Sequence, residues 1–143
     1  MSTKNYDPAL YTVAIAAVPI SKGYADGEFI KIERDSDAFT DVVGTDGEVA
    51  RAKSHDKRAT CTLTLLQTSD GNALLSTLAA LDEAADNGAG VGPFLLKDRG
   101  GLTLHAAAEC WVMKLPDVTL DKGVTARAWK IRIANLVSFE GGS

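Results

Sequence analysis

From Arg58 to Gln67 the side chains alternate, with Thr60, Thr62 and Thr64 on one side and Ala59, Cys61, Leu63 and Leu65 on the other. That is the two-residue period of a strand with one buried face. Tyr11 to Val18 reads as an apolar strand closed by Pro19, and Glu28 to Arg34 as another. Lys22, Gly23, Asp26 and Gly27 supply turn chemistry between them, so the two are expected to form a hairpin. In the second, Phe29, Lys31 and Glu33 share one face, and Ile30 and Ile32 share the other with Glu28 and Arg34. Thr45, Asp46 and Gly47 offer a tight turn into Glu48 to Ser54.

One segment changes period. Ser69 suits a helix N-cap, and Leu74, Leu75, Leu78, Leu81 and Ala85 follow at helical spacing, which predicts a helix over about 70–85. Asn87 to Gly90 end it and Pro93 blocks its continuation. Strands are expected again at Phe94 to Asp98 and Leu102 to Met113, around a turn at Arg99, Gly100 and Gly101. Pro116 to Gly123 reads as a loop with a short extended piece at Val118 to Leu120. Ala126 to Phe139 reads as a closing strand, with Trp129, Ile131 and Ile133 opposite Lys130 and Arg132. The pattern predicts a mainly β fold, a sandwich or barrel of about seven strands with one flanking α-helix.

The segment over about 35–50 breaks the rule that loops are polar. Phe39, Val42 and Val43 stand among Asp35, Asp37, Asp41 and Asp46, and exposed apolar loop residues ask for a partner. A sheet of this size also has edges, which must close, be covered, or pair with another chain.

Length and composition fit one domain over 1–143. At 143 residues and 45% hydrophobic content, a single core buries roughly two-thirds of the unfolded surface. No apolar run approaches the ~20 residues that span a bilayer, so no membrane partner is expected. Tyr11 to Val18 lacks a small-residue cleavage site after it and reads as a mature strand, not a signal peptide. Between Lys22 and Glu48 eight acids (Asp26, Glu28, Glu33, Asp35, Asp37, Asp41, Asp46, Glu48) face three bases (Lys22, Lys31, Arg34), a local net of −5. The remainder holds 12 bases against 11 acids. No Lys/Arg cluster exists to grip phosphate, which argues against a nucleic-acid binder.

Chemistry-bearing residues are sparse. The histidines are His55 and His105, the cysteines Cys61 and Cys110. Cys61 lies on an apolar strand face, where a free thiol behaves as a small hydrophobe, not a nucleophile. No closely spaced ligand pair anchors a metal. Asp35, Asp37 and Asp41 lack the glycine and terminal glutamate of a calcium loop in register. Asn87 to Gly92 follows a helix instead of opening one, so it offers no helix N-terminus to a phosphate. Trp111 and Trp129 suit a core or a subunit contact. Neither enzyme, cofactor nor metal is expected.

Three stretches resemble the tail tube proteins of bacteriophages with contractile tails: DSDAFTDVVGTDGEVARAKSHDKRATCTLTLLQTSDGNALLSTL from Asp35, NGAGVGPFLLKD from Asn87, and WKIRIANLVSFEGG from Trp129. The resemblance spans nearly the whole chain in order. It implies homo-hexameric rings stacked into a hollow tube inside a tail sheath, with baseplate and tail terminator proteins at its ends. About four strands per subunit would give an inner barrel on the order of 24 strands, wide enough for a DNA duplex. It implies a virion tail component, assembled in the bacterial host cytoplasm, through whose lumen DNA passes without sequence-specific binding.

On this reading Asp37, Phe39, Val42, Val43, Asp46 and Glu48 are the expected inter-subunit contacts, within a ring or between rings. Glu28, Glu33 and Asp35 are the expected lumen positions, with Lys31, Lys130 and Arg132 leaving a mixed lumen open. Two rivals stand beside it. One is the inner tube of a type VI secretion or other phage-derived contractile particle. The other, from a different class, is a small monomeric ligand-binding β-barrel.

Overall fold

The computed structural model of the protein describes residues 6–98 and 103–141. After a short 3-10 turn at Pro8–Leu10 come β1 (Tyr11–Ile15), β2 (Val18–Ile20), β3 (Ile30–Arg34), β4 (Phe39–Val43), β5 (Val49–Lys53) and β6 (Ala59–Leu66). The helix α1 (Asp70–Ala84) follows, then β7 (Gly92–Asp98), β8 (Thr103–Lys114), β9 (Ala126–Ile133) and β10 (Val137–Glu140). Eight strands form one antiparallel sheet in the order β2-β1-β7-β8-β9-β6-β3, with β10 also on β8. β4 and β5 pair only with each other.

The sheet bends over itself. β8 is long enough to pair with β10 through its first residues and with β9 through its last, so it belongs to both halves. The bend brings β3 across from β10, where Arg34 Nη1 donates to the Leu136 carbonyl at 2.8 Å. The core lies between the halves and is built as cross-strand rows. Ile30, Leu63 and Trp129 form one row; Ile32, Cys61, Ile131 and Val112 form the next. Leu63, Cys61 and Ile131 are fully buried, and each such side chain contributes about 1.5–3 kcal/mol relative to exposure. α1 closes one end: Leu75 and Leu78 pack inward, and Asn72 accepts the Trp129 indole N–H at 2.9 Å.

The mainly β fold with one flanking helix is as the pattern predicts, including the Ser69 cap, whose hydroxyl accepts from the Gly71 amide. The described residues hold ten strands, not about seven, for three reasons. First, the apolar run after Tyr11 doubles back at Ala16 and Ala17, which take φ of 50° and 69°. Two-residue hairpin turns of this hand normally select Asn or Gly, so the alanines give no signal. β1 therefore pairs with β2 and β7, and the expected hairpin between Tyr11–Val18 and Glu28–Arg34 does not form. Gly92 permits this turn, since a Cβ there would lie 2.8 Å from the Ala16 Cα.

Second, the 35–50 segment is no loop but most of a hairpin. Third, Ala126 to Phe139 is broken at Ala134–Leu136 into β9 and β10. No strand occurs at Val118 to Leu120. In α1, Leu74 and Leu81 are exposed, so the helical stripe is narrower than its spacing suggests. The expected turn at Arg99, Gly100 and Gly101 lies outside the described residues.

Candidate assembly surfaces

Three surfaces stand out, two of which the sequence marks. The first is the β4–β5 hairpin. Its strands pair from Phe39↔Lys53 to Val43↔Val49, and a three-residue turn of Thr45, Asp46 and Gly47 joins them. Gly47 holds φ 89°, and the Asp46 carboxylate accepts the Glu48 amide at 3.1 Å. Every residue of both strands is exposed. The register sorts them: Thr40, Val42, Ala50 and Ala52 make one uncharged face, while Phe39, Asp41, Val43, Val49, Arg51 and Lys53 make the other. On that second face the Arg51 guanidinium lies 4.3 Å from the Phe39 ring centroid, a cation–π contact. An isolated two-stranded ribbon is at best marginally stable in water. Its root is fixed by Asp56, whose carboxylate takes two bonds from the Arg58 guanidinium and one from the Ser36 hydroxyl. Those bonds hold the Asp56 carboxyl well below the usual carboxylate range.

The second surface is the outer face of β3, β6 and β9. Its rows are Lys31, Thr62 and Lys130, then Glu33, Thr60 and Arg132. The charges are largely paired: Lys31 meets Glu33 at 2.6 Å, Arg132 meets Asp35, and Lys130 donates to the Thr62 hydroxyl at 3.0 Å. Of the expected lumen residues, Glu33 and Asp35 are on or beside this face; Glu28 sits exposed just ahead of β3. The expected contact residues fall at the hairpin: Phe39, Val42 and Val43 on β4, Asp46 in its turn, Glu48 just after, and Asp37 before β4.

The third surface was missed. Leu115, Val118, Leu120 and Val124, between β8 and β9, are all more than half exposed. Like Phe39, Val42 and Val43, these four are exposed apolar residues, but they lack the cluster of acids that surrounds the former. Leu104, Val137 and Phe139 form a further exposed apolar patch on β8 and β10.

The chemical groups are otherwise engaged. Burial pushes the Cys61 thiol up to about 12 and Cys110 to about 11, which leaves both as thiols. His55 is exposed while Cys61 is fully buried. His105 Nδ1 lies 2.8 Å from the Ser138 hydroxyl, which also accepts from Arg34. Glu140 stands 3.9 Å from His105 Nε2, beyond hydrogen-bond reach. This row ties β3, β8 and β10 together but lacks the oriented base of a nucleophilic site. Among the described residues no group of three or more metal-ligating side chains converges. None of their helices is long and apolar enough to cross a membrane.

The described residues thus form a bent β-sheet domain with one helix and several exposed apolar surfaces. Residues 13–140 match the model of the Bacteriophage PhiTE tail tube protein family, and the chain belongs to that family. It is a family of structural phage tail proteins. The chain is 30% identical to Structural protein ORF10 of Pseudomonas phage KPP10 over 146 residues, covering 99% of this chain and 84% of that one.

Among solved structures, the sheath/tube terminator of an extracellular contractile injection system (PVC, extended state) aligns with a TM-score of 0.67 at 9% identity. That match covers 96% of this chain and 99% of the other. The tube-terminating cap of the anti-feeding prophage gives 0.61 at 7% identity, covering 98% and 94%. The sheath-tube complex of PVC in its extended state gives 0.57 at 10%, covering 92% and 89%. At these identities the likenesses establish the fold alone.

Proposed function

We propose that this chain builds the tail tube of a phage by self-association into hexameric rings, stacked head to tail, whose lumen conducts DNA from capsid to host during ejection. The observation that carries this reading is the β4–β5 hairpin: a ribbon that pairs with no strand of its own domain and leaves Val42, Val43 and Val49 exposed. Asp37, Phe39, Val42, Val43, Asp46 and Glu48 are then the contact residues, covering a neighbouring subunit. The polar outer face of β3, β6 and β9 lines the bore, with Glu28, Glu33 and Asp35 as its acids. Because Glu33 and Asp35 are already paired with Lys31 and Arg132, the wall offers phosphates few unpaired cations, so DNA slides without adhering. A sheath surrounds the tube, and baseplate and terminator proteins bound it, in a virion assembled in the host cytoplasm.

Electron microscopy and sedimentation of the purified protein test this directly. Rings or filaments are expected, and a monomer of about 15 kDa that binds a small ligand in a cavity of its own overturns the reading. Deleting Thr40 to Asp46 leaves a folded subunit that fails to stack; full-length tubes from that variant remove the hairpin from the interface. Changing Glu28 and Glu33 together to lysine slows genome ejection and spares assembly, and unchanged ejection removes these residues from the lumen.

A second reading, the terminator of such a tube, is favoured by the folds of the two terminators above. Termination predicts single rings that never extend at any concentration, so filament growth decides between them. The phage origin of the 30% identical relative favours a phage tail over a secretion apparatus, and capsid genes beside this one decide that point.

A further inference from the structure

We propose that the hairpin of one copy seats on the opposite pole of the next copy, in the groove between α1 and residues 115–125, where Arg127 receives the carboxylate of Glu48. This deepens the tube reading above and rests on it. The topology sets the two surfaces apart. The hairpin leaves β3 after Arg34 and re-enters at Ala59, the start of β6. The 115–125 segment joins β8 to Ala126, which pairs with Leu66 at the far end of β6. The two surfaces therefore cap opposite ends of one eight-residue strand, ~25 Å apart at about 3.3 Å per residue. A contact between opposite poles of identical copies is heterologous and does not close, so it extends into a filament.

The groove is a formed site. Gln67, Asn72, Ser76, Leu115, Val118 and Arg127 line it, with Trp129 at its base. Gln67 secures the segment by accepting both the amide and hydroxyl of Thr125 at 3.1 and 2.9 Å. Arg127 is buried at 9% exposure, and its bonds to Thr119, Thr125 and Ala126 all use Nη1. The N–H groups of Nε and Nη2 remain to donate, and a guanidinium edge fits a carboxylate by two parallel bonds. Across the proposed contact, Glu48 lies beside the hairpin turn, and its carboxylate makes no bond or ion pair among the described residues. Asp46, by contrast, is occupied in capping the turn. The charges complement each other: residues 35–53 hold five acids and two bases, net −3, and residues 114–127 three bases and two acids, net +1. Apolar surface matches as well, with Val42, Val43 and Val49 at 63–66% exposure meeting Val118, Leu120 and Val124 at 62–73%.

Disulfide cross-linking of the full chain tests the contact, since Cys61 and Cys110 are buried and contribute no background. In assembled wild-type-like particles, the double variant Thr45→Cys, Val118→Cys forms a ladder of covalent multimers on a denaturing, non-reducing gel. Thr45→Cys with Leu104→Cys forms none. Filaments that give no ladder with Val118→Cys, or a ladder only with Leu104→Cys, overturn the docking site while leaving the tube reading intact. Failure of the unaltered protein to assemble at all overturns both. Independently, Glu48→Lys raises the concentration needed for filament growth at least tenfold, and combining it with Arg127→Glu restores growth. A Glu48→Lys variant that grows like the parent overturns the pairing. Should Arg127→Glu fail to fold, the cross-linking result stands as the decision.

Discussion

β6 and the β4–β5 hairpin obey the same alternation and end in opposite environments. In β6, Ala59, Cys61, Leu63 and Leu65 have no exposed surface, because β3 and β9 flank the strand and the bent sheet covers its inner face. In the hairpin, Val42, Val43 and Val49 keep nearly two-thirds of theirs. Period two therefore identifies a strand but not what covers it. Where the chain supplies the cover, the strand stabilises the domain; where it does not, the strand is a surface for something else.

The sharpest way to break this contrast is to cut into both regions and compare unfolding. Leu63→Ala is expected to cost about 2–5 kcal/mol in chemical denaturation of the isolated subunit. Val42→Ala is expected to change it by no more than about 0.5 kcal/mol. Equal losses would mean that the hairpin packs on its own domain. Next in size, Asn72→Ala strands the Trp129 indole N–H under α1 and is expected to cost about 1–3 kcal/mol, read from the same denaturation midpoint. A loss near zero would detach α1 from the core.

Acid separates the regions further. Burial holds the His105 imidazole below its ordinary 6.5, with Arg34 adding to the effect and Glu140 opposing it. A depressed imidazole favours the neutral folded form, so stability is complete above pH 6.5 and falls as the pH drops below it toward the folded value. His105→Gln should flatten the stability profile across that window, and an unchanged slope would assign the acid sensitivity elsewhere. The smallest effect is expected at the hairpin root. Asp56 is depressed by Arg58, then Ser36, so its contribution is present above about pH 4 and lost on further acidification. The pair is exposed and salt weakens it. Asp56→Asn should speed amide exchange in β4 and β5 while leaving the core strands unchanged.

Much of the core was legible because its elements are long and strictly periodic: β6, β9 and α1 with its Ser69 cap all follow from residue spacing. The turns were less so. Ala16 and Ala17 carry no turn chemistry; the β1–β2 pairing and the Ala16 amide's bond to the Pro93 carbonyl at 2.8 Å hold them in place. The break between β9 and β10 is similarly silent, because Ala134, Asn135 and Leu136 sit in a run that alternates acceptably. For the surfaces, apolar residues in an acidic context marked 35–50, whereas the equally apolar 115–125, whose acids and bases nearly balance, reads as an ordinary loop. Arg127 shares the parity of Trp129, Ile131 and Ile133, so alternation puts it on the inward face, but only the fold shows the groove that it lines.

Cys61 and Cys110 are shut inside the sheet with their thiols fully protonated, one opposite Ile32 and Ile131, the other opposite Ile133. A particle that leaves its host passes into aerated water, where accessible thiolates oxidise. These two are withheld from that chemistry by the same packing that forms the core. The two thiols thus need no reductant to stay reduced, and their protection comes with folding.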